Sequence, residues 1–558
     1  MEMFAEAKNC IVRDYGSTSI VCVCNATYCD SLDPISDESI TSGSFIHYSS
    51  TQSGQRLQPN KGVFSNNLPA SDSIVSFTIS KTEEFQSIFG FGAALTDSTA
   101  LNIKNLSDAA SESLLQTYFG EGGAQLLFLR IPMGASDFSL RPYTYDDIEG
   151  DVTLEHFALI DNDYDYKIPI LNRATEIRGQ ELKLFTSPWS APWWMKINGT
   201  TGISHLAEEY YQVWADYFVK YFDAYAQQGI SFWGYSPQNE PIQGSDHAAK
   251  IISMGWTKES QTPWIADYLG PTMEKGGYGD LKMMILDDNR SRLPGWAETV
   301  FANPVAKSYV AGTAVHWYTD EGIRPSVLTQ THELDPNKFI FYTEACQKNV
   351  FKDAHDHAIT VDGYRYVELL NDFLLRWAEN HKLGQILIQL NWATAHAFHQ
   401  FRAILQPVFP ATKIVREDLG KWEIGERYGT SMIQAFNNWV VGWTDWNMAI
   451  NEQGGPATFG YNAAIIVNAT ADEFYKQPPY YFQAHFSMFI PPDSKHVSLT
   501  SDNDGGLLNV AFITPETDVV VILMNSQNVS VSVVISDQDR GYISVDVEAR
   551  SINTIIYR

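Results

Sequence analysis

A chain of 558 residues exceeds one simple domain, and with 44% apolar residues it can bury a large core. Its formal charge of −28 makes nucleic acid and anionic membrane surfaces poor partners at neutral pH. No run of 18 apolar residues occurs, so no transmembrane segment is expected.

Residues 1–20 contain no apolar leader, so a leader is expected to be missing from this sequence or already removed. Cys10, Cys22, Cys24 and Cys29 then crowd together beside the sequon Asn25-Ala-Thr. Such crowding points to two disulfides and an oxidising route. A zinc knuckle is the alternative, with irregular ligand spacing and no nearby His. Further sequons begin at Asn105, Asn198, Asn289, Asn468 and Asn528, which favours secretion or lysosomal delivery. Protonating all 13 His would bring the charge from −28 to about −15, which would relieve surface repulsion in acid.

Residues 1–80 read as short strands and turns. From about residue 85 the pattern becomes strand then helix, repeated. The expected strands are Ile88–Ala94, Gln125–Pro132, Leu182–Pro188, Ile230–Ser236, Leu281–Leu286, Ala311–His316, Lys338–Thr343 and Trp439–Thr444. Apolar runs of this kind suit strands buried on both faces of a parallel barrel. Ahead of the fourth, Tyr211, Trp214, Phe218, Tyr221, Phe222 and Tyr225 fall at helical spacing, closed by Gly229. Asp161-Asn-Asp163-Tyr-Asp165 begins like a calcium loop but has Tyr166 and Asn172 where Gly and Glu are needed, so it reads as a surface turn. From Asn503 the alternation predicts antiparallel strands that join those of the N-terminus in a sandwich.

Two glutamates carry the chemistry. Glu240 closes the run from Ile230, and Glu344 closes the run from Lys338, about a hundred residues later. On the fourth and seventh strands of a barrel, both carboxylates would project at its C-terminal rim. Retaining hydrolysis of a β-glycoside needs two carboxyl groups about 5–5.5 Å apart, one as acid/base and one as nucleophile. Glu240, which follows Asn239, is assigned as acid/base and Glu344 as nucleophile. Arg130, ending the second strand, could keep Glu344 ionised, and Tyr318 could donate to the same carboxylate. For each of these two, an ordinary buried polar group is the competing reading.

The chain resembles glycoside hydrolase family 30, and within it the lysosomal glucosylceramidase branch. The resemblance rests on Gly90-Phe-Gly-Ala-Ala-Leu-Thr-Asp, Arg130-Ile-Pro-Met, Ser136-Asp-Phe-Ser, Ser187-Pro-Trp-Ser, Ala314-Val-His-Trp-Tyr, Glu344-Ala-Cys and Gly442-Trp-Thr-Asp-Trp-Asn, among other stretches from Cys10 to Arg558. It implies an α/β (β/α)8 TIM barrel, an all-β sandwich from both chain ends and a small N-terminal antiparallel sheet module. The boundaries so implied are 1–33 plus 448–473 for the module, 34–81 plus 491–558 for the sandwich, and 82–447 plus 474–490 for the barrel. It further implies cleavage of glucosylceramide at a membrane surface, without metal or cofactor, aided by a saposin-like activator, in a lysosomal or secreted protein. Asp137, Trp189, Asn239 and Trp446 would hold the sugar, and Tyr318 would line the mouth. Asn462, with Tyr461 as rival, would complete the pocket. The pairing implied is Cys10–Cys22 and Cys24–Cys29, with Cys346 free.

Three stretches depart from the family pattern, the first being Gly455-Pro-Ala-Thr-Phe-Gly-Tyr-Asn462, which is shorter than the family's. The loop at 241–254 has its own sequence, and residues 347–417 read as an insert beside Glu344, with three readings open: a lid, a partner surface or an artefact of the gene prediction. Within it, His355-Asp-His357 lacks a third metal ligand at sensible spacing and reads as a solvated turn. Two alternatives stay open: a family 30 hydrolase of another β-glycan, and a blocked barrel acting as a binding protein.

Overall fold

The computed structural model describes residues 8–32, 40–68, 74–245, 252–346, 418–457 and 461–558. The segment 347–417, with His355 and His357, lies outside the described residues, as do positions 246–251 of the loop after Glu240.

Eight parallel strands close into a barrel: Gly90–Ala94, Phe128–Met133, Lys183–Pro188, Gly234–Tyr235, Lys282–Asn289, Val310–His316, Phe339–Glu344 and Val440–Asn447. They follow one another around the barrel in chain order, and the eighth pairs with the first. The fourth strand is shorter than its apolar run suggests. Bonds from Trp233 N to Leu184 O and from Ser236 N to Thr186 O nevertheless extend its pairing at both ends. Gly234 is required here, because an added Cβ would lie 2.7 Å from the carbonyl oxygen of Lys282.

The barrel floor is an apolar plug of Phe128, Phe185, Met284, Ala314, Phe341 and Val441. Phe128 packs at 4.9 Å from Phe341 and 5.0 Å from Trp233, centroid to centroid. Side chains alternate along a strand, so the residue two positions on returns to the interior one layer higher. From Phe128, Phe185, Ala314 and Phe341 that rule reaches Arg130, Ser187, His316 and Thr343. A polar ring therefore lies directly above an apolar floor, at the C-terminal mouth.

Helix Tyr211–Ala226 buries Trp214, Tyr217, Phe218, Tyr221, Phe222 and Tyr225. The stretch from Asp161 differs from the expected surface turn. It begins a helical segment, and Asp163 is fully buried. Asp163 accepts from Tyr145 Oη at 3.0 Å and Tyr225 Oη at 2.7 Å. The i,i+4 spacing sets Lys167 on the same helix face, 3.4 Å from Asp163 and 2.9 Å from Asp97. Burial lowers the pKa of Lys167, but Asp163 and Asp97 outweigh it and hold the ammonium charged.

A five-stranded sheet unites Val12–Arg13 and Val21–Asn25 with Glu473–Lys476, Ile465–Asn468 and Ala449–Asn451, the last two in parallel. Disulfides Cys10–Cys22 and Cys24–Cys29 staple its N-terminal part. A nine-stranded sheet draws Ser44–Thr51, Gln58–Val63 and Val75–Ser87 together with six strands after Lys495, around a core that includes Phe77, Val497, Val521 and Ile535. Its pairings are antiparallel except Val531–Asp537 against Val75–Ser87. No helix among the described residues is long and apolar enough to cross a membrane.

Replacing Lys167 with Met would leave Asp97 and Asp163 buried without their cation. The expected loss is about 3–5 kcal/mol of stability, read by chemical denaturation. A loss below about 1 kcal/mol would contradict the pairing described.

Candidate active site

Arg130 is wholly buried in the polar ring. Nη1 donates to Glu344 Oε2, while Nη2 donates to Asp287 Oδ2 at 2.8 Å, Asn239 Oδ1 at 2.8 Å and Ser187 Oγ at 3.1 Å. Asp287 also accepts from the hydroxyls of Ser187 and Ser236, each at 2.5 Å, and of Thr343 at 2.7 Å. His316 bridges the rim, with Nε2 3.1 Å from Asp287 Oδ1 and Nδ1 3.0 Å from Glu240 Oε1. The same Nδ1 is 3.7 Å from Glu344 Oε1, to which Tyr318 Oη donates at 2.9 Å. Carboxylate oxygens of Glu240 and Glu344 approach within 4.8 Å of each other.

Asp287 gains its place from an irregularity. The fifth strand shifts register between Leu286 and Asp288, and both Leu286 and Asp287 have positive φ, at 76° and 52°. That bulge turns the Asp287 carboxylate inward. It also offers the Asp287 carbonyl to Glu240 N at 2.9 Å, so one kink fixes the backbone of the first glutamate. Glu240 itself has φ of 40°.

The charges are interlocked. Burial alone would raise the Asp287 carboxyl, but Arg130 and His316 hold it far below the usual range. Burial alone would lower His316, but Glu344, Asp287 and Glu240 raise it to about 10. Burial pushes the Glu344 carboxyl up, against the pull of His316 and Arg130. Asp288, behind the bulge, is raised to about 6 by burial and by the charge of Glu240. Glu240, His316 and Glu344 also offer three atoms at metal-ligand spacing. Both imidazole nitrogens already face carboxylates, Nδ1 that of Glu240 and Nε2 that of Asp287. A second grouping, Cys24, Cys29 and Asp30, contains two sulfurs joined as a disulfide.

Trp189 and Trp446 stack with centroids 5.2 Å apart and planes 19° from parallel, both against the Arg130 guanidinium. Asp137 is half-buried and close enough for its charge to act on Tyr318. Asn462 is buried, and its Oδ1 accepts from Gln477 Nε2 and from Ala463 N at 2.9 Å. Its rival Tyr461 packs 5.3 Å from Phe138, which lies 6.1 Å from Trp446. Sequence reasoning gave no role to Asp287, His316, Ser187, Ser236 or Thr343. Asp287 carries the signal that marked Glu240, an acid just past an apolar run, here Met283-Met-Ile-Leu.

The sequence model of the glycosyl hydrolase family 30 TIM-barrel domain matches residues 88–392 and 410–490, and that of the family's β-sandwich domain matches 493–555. The chain belongs to glycoside hydrolase family 30. Much of the segment 347–417 falls inside the matched ranges. The chain is 35% identical over 561 residues to lysosomal acid glucosylceramidase of Mus musculus, spanning 99% of this chain and 96% of the relative. It is 26% identical over 513 residues to endo-1,6-β-D-glucanase of Aspergillus fumigatus, spanning 87% and 88%. The solved structure of SrfJ from Salmonella typhimurium superposes with a TM-score of 0.74 at 23% identity, over 92% of this chain and 99% of that one, which speaks for the fold alone. As a family 30 member the chain is a glycoside hydrolase, and glucosylceramidases are among its relatives.

In a family 30 rim of this charge pattern, His316 is expected to remain protonated from pH 5 to 8, given its shift from 6.5 to about 10. A folded value above the unfolded one contributes stability in full below pH 6.5, which is lost as the pH rises through about 10. Proton NMR of the imidazole checks this in native protein and in Asp287→Asn, where its titration should move down. A native ring titrating near 6.5 would contradict the network.

Proposed function

We propose that the chain is a retaining β-glucosidase that hydrolyses glucosylceramide to glucose and ceramide. The observation that carries this reading is that a carboxylate oxygen of Glu240 and one of Glu344 lie no more than 4.8 Å apart, with His316 bonded to the one and beside the other. Inverting enzymes keep their carboxyl groups about 6.5–9.5 Å apart to admit a water, whereas retaining ones need about 5–5.5 Å.

In the first step a Glu344 carboxylate oxygen attacks the anomeric carbon. The glycosidic C–O bond breaks as Glu240 delivers its proton to the leaving oxygen. Glu240, now ionised, takes a proton from water, whose oxygen displaces Glu344 and releases the sugar. Arg130 and His316 favour the ionised state of Glu344 that the attack requires. The stacked Trp189 and Trp446, with Asn239 and Asp137, suit recognition of a glucose ring and its hydroxyls. Likeness to a lysosomal glucosylceramidase over nearly the whole chain supports the lipid substrate and lysosomal delivery; a saposin-like activator belongs to the same proposal on the sequence resemblance alone. The paired cysteines and sequons suit the same route.

The roles separate by mutation. Glu344→Gln is expected to abolish turnover and labelling by a cyclitol epoxide. Glu240→Ala is expected to lose about 10²–10⁴-fold on glucosides with poor leaving groups but less on activated ones, and azide should then yield a β-glucosyl azide. The opposite pattern would exchange the two roles. Faster turnover of a soluble β-1,6-glucan than of glucosylceramide in detergent would favour the glucanase reading that the more distant relative suggests.

Because His316 and Arg130 oppose the upward pressure of burial on Glu344, removing the imidazole charge should shift the acid limb of activity to higher pH. His316→Asn assayed on an activated glucoside tests this. An unmoved or lowered limb would contradict it.

A further inference from the structure

The loop after the third barrel strand carries Lys196, whose side chain is buried. Its ammonium donates to Ser190 Oγ at 2.9 Å, to Ser253 O at 3.3 Å and to Gly202 O. No carboxylate among the described residues pairs with it. Burial lowers its pKa to about 8, so it stays cationic in acid. A lone buried ion costs several kcal/mol, and a thioether side chain would fill similar space without that cost. The charge therefore needs a reason beyond packing.

Its acceptors supply one, because they lie on two different loops. Ser190 and Gly202 follow the third strand, whereas Ser253 follows the fourth, downstream of Glu240. The same loops meet in a short parallel ladder, Ser204–His205 with Met254–Gly255, and Met254 N donates to Trp189 O at 2.8 Å. Ile252, adjacent to the clamped Ser253, lines a cavity of about 220 Å³ with the apolar Ala191, Trp193 and Pro142 and the polar Asp147, Thr201 and Ser190, the last an acceptor of Lys196. Ile252, like Tyr318, also packs against the cluster that holds Trp189 and Trp446. Ile252 thus links a cavity of mixed lining to the cluster of the two stacked indoles.

We infer that Lys196 is a positioning residue that fixes the width of this cavity and thereby selects an apolar chain on the aglycone of the substrate. The inference rests on the β-glucosidase reading and adds to it the place where a lipid tail is gripped. Lys196 acts through Ile252 and Ser253 and touches no reacting atom. A loop staple with no part in selection would instead weaken every substrate alike.

The test uses the full chain with Lys196→Met and Lys196→Arg. It compares a long-chain glucosylceramide in mixed detergent micelles with a small aryl β-glucoside, and adds the rate of Glu344 labelling by a cyclitol epoxide. In Lys196→Met the KM for the lipid should rise about tenfold with kcat within about twofold, as expected when an apolar pocket loses its fit. Aryl glucoside kinetics and labelling should stay within the same twofold, and Lys196→Arg should fall between Met and wild type. Equal losses on both substrates, or an unchanged KM for the lipid, would overturn the inference. Should the Met variant fail to fold, the same selective rise in Lys196→Arg decides. A wild-type protein that cleaves the aryl glucoside but not the lipid would overturn the substrate reading, and this inference with it. A lipid-active wild type with unselective variants would overturn the inference alone.

Discussion

The buried ion pair between Arg130 and Asp287 is the constraint on which the mouth of the barrel depends. Their side chains are 0% and 1% exposed and meet at 2.8 Å. Neither charge would be tolerated there alone, since an unpaired buried ion costs several kcal/mol. Together they leave donors and acceptors to spare, and these reach outward. Arg130 holds Glu344 and Asn239, and Asp287 holds His316, which holds Glu240. Two acidic side chains are thereby held close, one bonded to Arg130 and the other to His316. Removing either member of the central pair should disturb both glutamates at once.

That network needs a floor that excludes water, and the aromatic plug provides it. Phe128, Phe185 and Phe341 fill the lower barrel, so the ring above is backed by hydrocarbon. In such surroundings electrostatic interactions are stronger than in water, which is why the cations there can oppose burial so effectively. The loop after the third strand and the end of the eighth strand add the stacked indoles Trp189 and Trp446, and the two sheets built from both chain ends lie outside the barrel. Apolar floor, polar ring and stacked indoles thus follow one another toward the mouth of the barrel.

Much of this was legible in the sequence, because parallel barrel strands are nearly continuous apolar runs. Glu240 and Glu344 stand at the ends of two such runs, and Arg130 stands within a third. Alternation by two residues from Phe128 leads to Arg130 in the same way. Asp287 escaped because a bulge breaks that alternation: counting two from Met284 leads to Leu286, not to the acid. Asp163 escaped for a related reason. Its run of acids looks solvated, and only the packing of Tyr145, Tyr225 and Lys167 makes it a buried acceptor. Local pattern reports strand position well, whereas it reports poorly on kinks and on pairings between distant segments.

The spacing of the two carboxylates is the central claim, and the stereochemistry of hydrolysis reads it directly. Proton NMR of the sugar released from an aryl β-glucoside, recorded before mutarotation, should give β-glucose as the first product. Initial release of the α-anomer would mean that a water fits between the glutamates, and it would contradict the arrangement described.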